Sequence, residues 1–150
     1  MTDEEAIALA VAEAQAAAER GEVPVGAVLL ADGGALLARN GNRVVELHDP
    51  TAHAELLVLR EAASKLGNER LSGTALYVSL EPCAMCAGAI SMARVGRLVF
   101  AAEDLKGGAV LNGPRFFEQP TCHHHPVIAR AGDAAAAGEL LRDFFRARRN

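Results

Sequence analysis

Cys83 and Cys86 stand three residues apart in Glu81-Pro82-Cys83-Ala84-Met85-Cys86, and His53-Ala54-Glu55 lies one supersecondary unit upstream. Thiols at i and i+3 fall on one side of a helical turn, so both sulfurs can reach a single metal ion. His53 adds an imidazole and completes three borderline-soft donors, the set zinc prefers. Three protein ligands leave a fourth position open to water, the mark of a catalytic rather than a structural centre. Glu55, two residues past the histidine, is then a carboxylate beside that water. The chemistry that follows is hydrolysis.

Other readings of the same residues compete with this one. A Cys-x-x-Cys can be a redox pair or half a zinc ribbon, but here it follows a proline, has an upstream His-x-Glu, and lacks a second Cys-x-x-Cys. A closed four-ligand site would need a fourth donor from Cys122, His123, His124 or His125. Without partner spacing elsewhere, that cluster reads better as a polar loop on the rim of the site. His48 reads as a capping or surface residue. Arg142, Arg146 and Arg149 share one face of a terminal helix, opposite Leu140, Leu141, Phe144 and Phe145. They form either a solvated basic face or a phosphate-contacting patch, and both readings stand.

The elements that must hold these groups follow from local signals. Thr2-Asp3-Glu4-Glu5 has capping-box spacing, predicting a helix to about Arg20 with Ile7, Ala10, Val11 and Ala14 inward and Gly21 as its stop. The apolar run 23–30 predicts a strand covered on both faces, with Pro24 at its start or at an edge. Asp32-Gly33-Gly34 turns it into a returning strand 35–39, after which Asn40-Gly41-Asn42-Arg43 leads out into a loop. Asp49-Pro50-Thr51 predicts a helix start and Gly67 its end, so that His53 and Glu55 lie near the first turn and the metal lies off the helix end. A strand over 75–80 gives way to a cysteine-bearing helix reaching about Arg94, with Pro82 at its first position. Strands over 97–101 and 127–129 flank a long irregular stretch, and Asp133 caps a final helix. This alternation predicts a central sheet with helices on both faces.

The totals limit the class. One hundred and fifty residues, 51% of them hydrophobic, suit one domain with a packed core. A formal net charge of −4 offers nucleic acid no global attraction, so any such contact must be local. Three cysteines, two of them committed to the metal motif, argue against a disulfide framework and for a reducing cytoplasm. The acidic start is wrong for a secretory signal, and no apolar run reaches membrane-spanning length.

Taken together, Glu22-Val23-Pro24-Val25-Gly26-Ala27-Val28, His48 to Glu55, Leu76 to Ile90 and the terminal Leu141-Arg142-Asp143-Phe144-Phe145-Arg146 resemble the bacterial tRNA-specific adenosine deaminases of the zinc-dependent cytidine-deaminase superfamily. The resemblance runs nearly end to end. It implies a three-layer α/β/α cytidine-deaminase-like fold around a five-stranded mixed sheet, with residues 1–150 forming a single zinc-dependent deaminase domain. It implies one Zn2+ per subunit on His53, Cys83 and Cys86, and Glu55 as the proton shuttle in converting adenosine to inosine. The implied substrate is the wobble adenosine of a tRNA anticodon stem-loop, extruded from its stack. By the same resemblance Asn42 and the Ala54 backbone N–H contact the base, while Asp104 and Lys106 line the RNA side. A cytoplasmic homodimer without membrane attachment is also implied. A free-nucleobase deaminase acting on guanine or cytosine, and a non-catalytic zinc-stabilised RNA-binding subunit, are the alternatives.

Overall fold

The structure, a computed structural model, describes residues 1–149. Asp3–Glu19 forms α1, and Thr2 Oγ1 accepts from the Glu5 amide at 3.1 Å, as the capping spacing predicts. Its buried face is Ala6, Ile7, Ala10, Ala14 and Ala17, while Val11 is only partly covered. Strand β1 (Gly26–Leu30) begins after Pro24, and β2 (Leu36–Gly41) returns beside it. The return strand runs through Asn40 and Gly41, two residues beyond the predicted turn-out, because both stay paired with β1. α1 lies directly on this hairpin. A Cβ at Gly26 would stand 2.6 Å from the Ala14 amide nitrogen, and one at Gly41 would stand 2.6 Å from the Glu13 carbonyl.

Helix α2 (Ala54–Leu66) starts later than Asp49-Pro50-Thr51 suggested. Asp49 Oδ1 instead accepts from the Thr51 amide at 2.9 Å and its hydroxyl at 2.7 Å, a local turn that competes with helix initiation. Gly67, at φ 61°, ends the helix as expected. β3 (Ala75–Leu80) matches its predicted bounds, and α3 (Ala84–Met92) follows with Cys83 as N-cap. Pro82 therefore precedes the cap instead of occupying the first helical position. β4 (Arg97–Ala102) leads into an irregular stretch broken only by a 3₁₀ turn at Phe116–Glu118. β5 (Val127–Arg130) and α4 (Ala134–Arg148) complete the chain, with Asp133 Oδ1 accepting from the Ala136 amide at 3.0 Å.

The strands line up as β2-β1-β3-β4-β5, antiparallel across β2-β1-β3 and parallel across β3-β4-β5. Side chains alternate between two cores, as strand geometry requires. Leu29, Leu76, Val78, Leu98 and Phe100 meet Val58, Leu59 and Ala62 of α2 and Ile90 of α3 on one face. On the other, Val28, Leu30, Tyr77 and Val99 meet Ala6, Ile7 and Ala10 of α1 and Ala137 of α4. This is the three-layer arrangement and mixed sheet that the resemblance implies. Asp3 clamps α1 to the sheet: Arg97 donates to both its oxygens at 2.7 Å, and the Tyr77 hydroxyl donates at 2.8 Å. Among the described residues no helix is long and apolar enough to cross a membrane.

Candidate active site

β3 is the central strand and pairs in parallel with β4, and the chain delivers Glu81, Pro82 and Cys83 from its carboxyl end, where α/β sheets hold ligands. His53 and Cys83 occupy the N-cap positions of α2 and α3, yet neither side chain caps its helix. Both are thereby free to face one another. His53 Nδ1 lies 3.7 Å from Cys83 Sγ and 3.5 Å from Cys86 Sγ, and one donor atom from each residue falls within 4.8 Å of the other two. Two helix N-termini converge on this triad, and their dipoles favour negative sulfur.

The capping of α2 passes to a distant residue. Asn42 Oδ1 accepts the Ala54 N–H at 2.8 Å, while Asn42 is only 6% exposed. One lone pair of its acceptor is thus committed to the helix, and its Nδ2 has no bond to a described residue. The Ala54 amide, expected from the resemblance to meet a base, is engaged by Asn42.

Electrostatics sort the titratable groups. The Cys86 thiol beside it draws Cys83 down to about 4, against the opposing effect of burial, with His53 adding to the fall. Cys86 is pushed up by Cys83 and by burial, and His53 is raised chiefly by its hydrogen bond to Cys83. Burial pushes the Glu55 carboxyl up to about 7. Its Oε1 is buried without a hydrogen-bond partner, which a carboxylate avoids unless something else is meant to meet it. The donor set (one imidazole, two thiols) and this orphaned oxygen fit a zinc centre with Glu55 beside it and outside the ligand set.

A cavity of about 530 Å³ opens over the triad, lined among others by Asn42, His53, Glu55, Cys83 and Asp104. Its volume falls within the range of small-molecule sites. Lys106 is exposed outside it, donating its amide to Asp104 Oδ1 at 3.1 Å. The far rim comes from α4, where Arg148 stacks its guanidinium 3.5 Å from the centroid of the Phe144 ring and both residues line the cavity. Arg142, Arg146 and Arg149, the candidate phosphate patch, are all exposed and away from the lining. Phe145, expected on the apolar side, is 45% exposed.

Two lining residues escaped sequence reasoning except as parts of a resemblance. Glu22, 2% exposed, accepts the Val45 and Glu46 amides at 3.0 and 2.9 Å and so holds the loop before α2. Glu81, equally buried, accepts the amides of Asp104, Val110, Leu111 and Asn112 and the Asn112 side chain. The usable signal was a charge placed against an apolar strand at each position. Cys122 and His125, read as part of the rim, instead line a separate cavity with Phe117, Pro126 and Ile128. Ser91 donates to the His124 carbonyl at 2.6 Å and lies 3.5 Å from Cys122 Sγ, which pins that segment to α3, away from the triad. Among the described residues His53, Cys83 and Cys86 form the only metal-capable cluster.

A family model described as MafB19-like deaminase matches residues 1–149. The chain is 57% identical to the tRNA-specific adenosine deaminase of Agrobacterium fabrum (strain C58) over 94% of its own length and 92% of the relative's. A solved structure from studies of A-to-I editing by tRNA:A34 deaminases at the wobble position superposes with a TM-score of 0.89 at 55% identity, covering 91% of this chain and 99% of that one. The guanine deaminase of Nitrosomonas europaea superposes at 0.81 with 27% identity, over 94% of this chain and 83% of that one.

Proposed function

The chain belongs to the MafB19-like deaminases, among the tRNA-specific adenosine deaminases, and on that premise we infer that it converts the wobble adenosine of a tRNA anticodon loop to inosine. The reaction is hydrolytic: water adds at C6 of the adenine, and ammonia leaves. The observation that carries it is the buried Glu55 with its orphaned Oε1 beside His53, Cys83 and Cys86, in a chain so similar to tRNA adenosine deaminases over nearly its full length. Residues 1–150 are proposed to act as a single zinc-dependent deaminase domain.

One Zn2+ per subunit is proposed on His53, Cys83 and Cys86, and when bound it supplies the Lewis acidity that brings a water's pKa to about 7. Glu55, its carboxyl raised by burial into the neutral range, takes the proton of the attacking water and delivers it to N1 of the base. The same carboxyl protonates the departing amine. Asn42 is assigned to a polar edge of the flipped base, its Nδ2 donating to a ring nitrogen while its Oδ1 holds the Ala54 amide. Ala54 orients the base through Asn42. Asp104 at the cavity wall and Lys106 outside it are assigned to the flanking nucleotides by their place at and beyond the rim. A homodimer and a cytoplasmic location complete the proposal, the latter supported by three free cysteines.

The test is a substrate comparison. Purified protein is expected to form inosine in an anticodon stem-loop with stoichiometric ammonia, and to release little from free guanine or cytosine. Ammonia from guanine without change in the RNA would favour the guanine deaminase reading, and no ammonia from any substrate would favour a binding subunit.

A further inference from the structure

We propose that Glu81 is a positioning residue for RNA: it holds the cavity wall 104–112 in the shape that receives the nucleotides flanking the target base. Glu81 sits on a rigid frame, because its own amide donates to the Ala102 carbonyl at 2.8 Å and continues the β3-β4 ladder two residues before Cys83. Oε2 accepts the amides of Val110, Leu111 and Asn112 at 3.0, 2.8 and 3.1 Å. Oε1 accepts from the Asp104 amide at 3.0 Å and from Asn112 Nδ2 at 2.7 Å. All five donors come from one segment without regular structure.

That segment packs directly on the carboxylate. A Cβ at Gly108 would stand 2.6 Å from Glu81 Oε2, so only a bare backbone fits there. Few other bonds tie the wall to the body, chiefly the Ala109 amide to the Pro82 carbonyl at 2.9 Å. Asp104 lines the cavity from this wall. Backbone donors gathered by a buried carboxylate take up one conformation, and a pre-formed wall spares the ordering cost of binding a single-stranded loop. Glu81 itself is 2% exposed and shares no donor with the metal triad, so its effect falls on docking and not on the reaction step.

The inference rests on the RNA reading above, and the experiment separates the two. Glu81→Gln sets an amide N–H against donors at one oxygen, so KM for an anticodon stem-loop is expected to rise about tenfold or more. The single-turnover rate at saturating RNA and the zinc content should stay within about twofold of the parent protein. A lower melting temperature with unchanged KM would overturn the proposal, since a merely structural role moves only the former. Should Glu81→Gln not fold, Asn112→Ala removes one donor, and a rise in KM of about threefold supports the proposal where an unchanged KM overturns it. Absence of inosine with the parent protein would overturn the RNA reading, and this inference with it.

Discussion

Glu55 and Glu81 are buried to nearly the same depth, 3% and 2% exposed, and stand on the same cavity, yet their surroundings treat them in opposite ways. Five N–H groups converge on Glu81. Burial pushes its carboxyl up, but the donors from Asn112, Asp104, Leu111 and Val110 outweigh burial and hold it below the usual range. Glu55 has an oxygen with no partner, and burial there wins, raising the carboxyl to about 7. A satisfied buried carboxylate is fixed charge and structure; an unsatisfied one can exchange a proton near neutral pH. The contrast teaches that burial alone does not mark a catalytic acid. What marks it is burial together with a missing hydrogen-bond partner, next to ligand-type side chains.

The strongest challenge to this comparison is removal of Glu55. Glu55→Ala is expected to lower deamination by about two to four decades while zinc stays near stoichiometric, because the carboxylate stands outside the ligand set. Cys86→Ala should instead lose metal and activity together. Metal analysis of the two variants decides the matter: zinc lost from Glu55→Ala would make Glu55 a ligand and end its contrast with Glu81.

Asn42 tests whether a buried polar group can serve both purposes at once. Asn42→Asp keeps an acceptor for the Ala54 amide and removes the donor, whereas Asn42→Ala removes both. Both should slow inosine formation at subsaturating RNA by about one to two decades, through loss of about 1–3 kcal/mol of base contact. Only Asn42→Ala should also cost about 1 kcal/mol of stability by uncapping α2. Urea melts with single-turnover assays separate the effects, and equal rates for all three proteins would leave Asn42 a helix cap alone.

Asp3 sharpens the comparison from the exposed side. Its side chain is 30% exposed, so its bridge to Arg97 is worth under about 1 kcal/mol after solvent screening. The Arg97 hydrogen bonds hold its carboxyl down, from 3.8 to about 2, burial opposing and Tyr77 assisting. A depressed carboxyl stabilises the fold above its unfolded pKa and loses that contribution as pH falls through the folded one. The difference in urea midpoint between parent and Asp3→Asn should therefore hold at neutral pH and shrink from about pH 4 toward about pH 2. A gap that does not vary with pH would mean that the bridge contributes shape, not charge.

Much of this protein was legible without a fold. The grouping of His53, Cys83 and Cys86, the caps at Thr2 and Asp133, the stop at Gly67 and the bounds of β3 all rest on signals a few residues long. A thiol pair at i, i+3, an acceptor before a helix and an apolar run between turns carry their physics within one turn or one strand. Local chemistry also misled in places. Asp49-Pro50-Thr51 offered a helix start that Asp49 spent on a turn, and Cys122-His123-His124-His125 offered donors that the fold carries to a different cavity.

Tertiary structure alone decided the rest. Glu22 reaches amides 23 and 24 residues on, Asn42 caps a helix 12 residues away, and Glu81 gathers a wall 23 to 31 residues downstream. Arg148, rather than the three arginines on the other face, reaches the cavity because α4 packs across the sheet from the far end of the chain. Such groups are identified by what surrounds them. A carboxylate's role depends on how many donors meet it and how much water is excluded, and both are properties of segments brought together from distant parts of the chain, which no local spacing encodes.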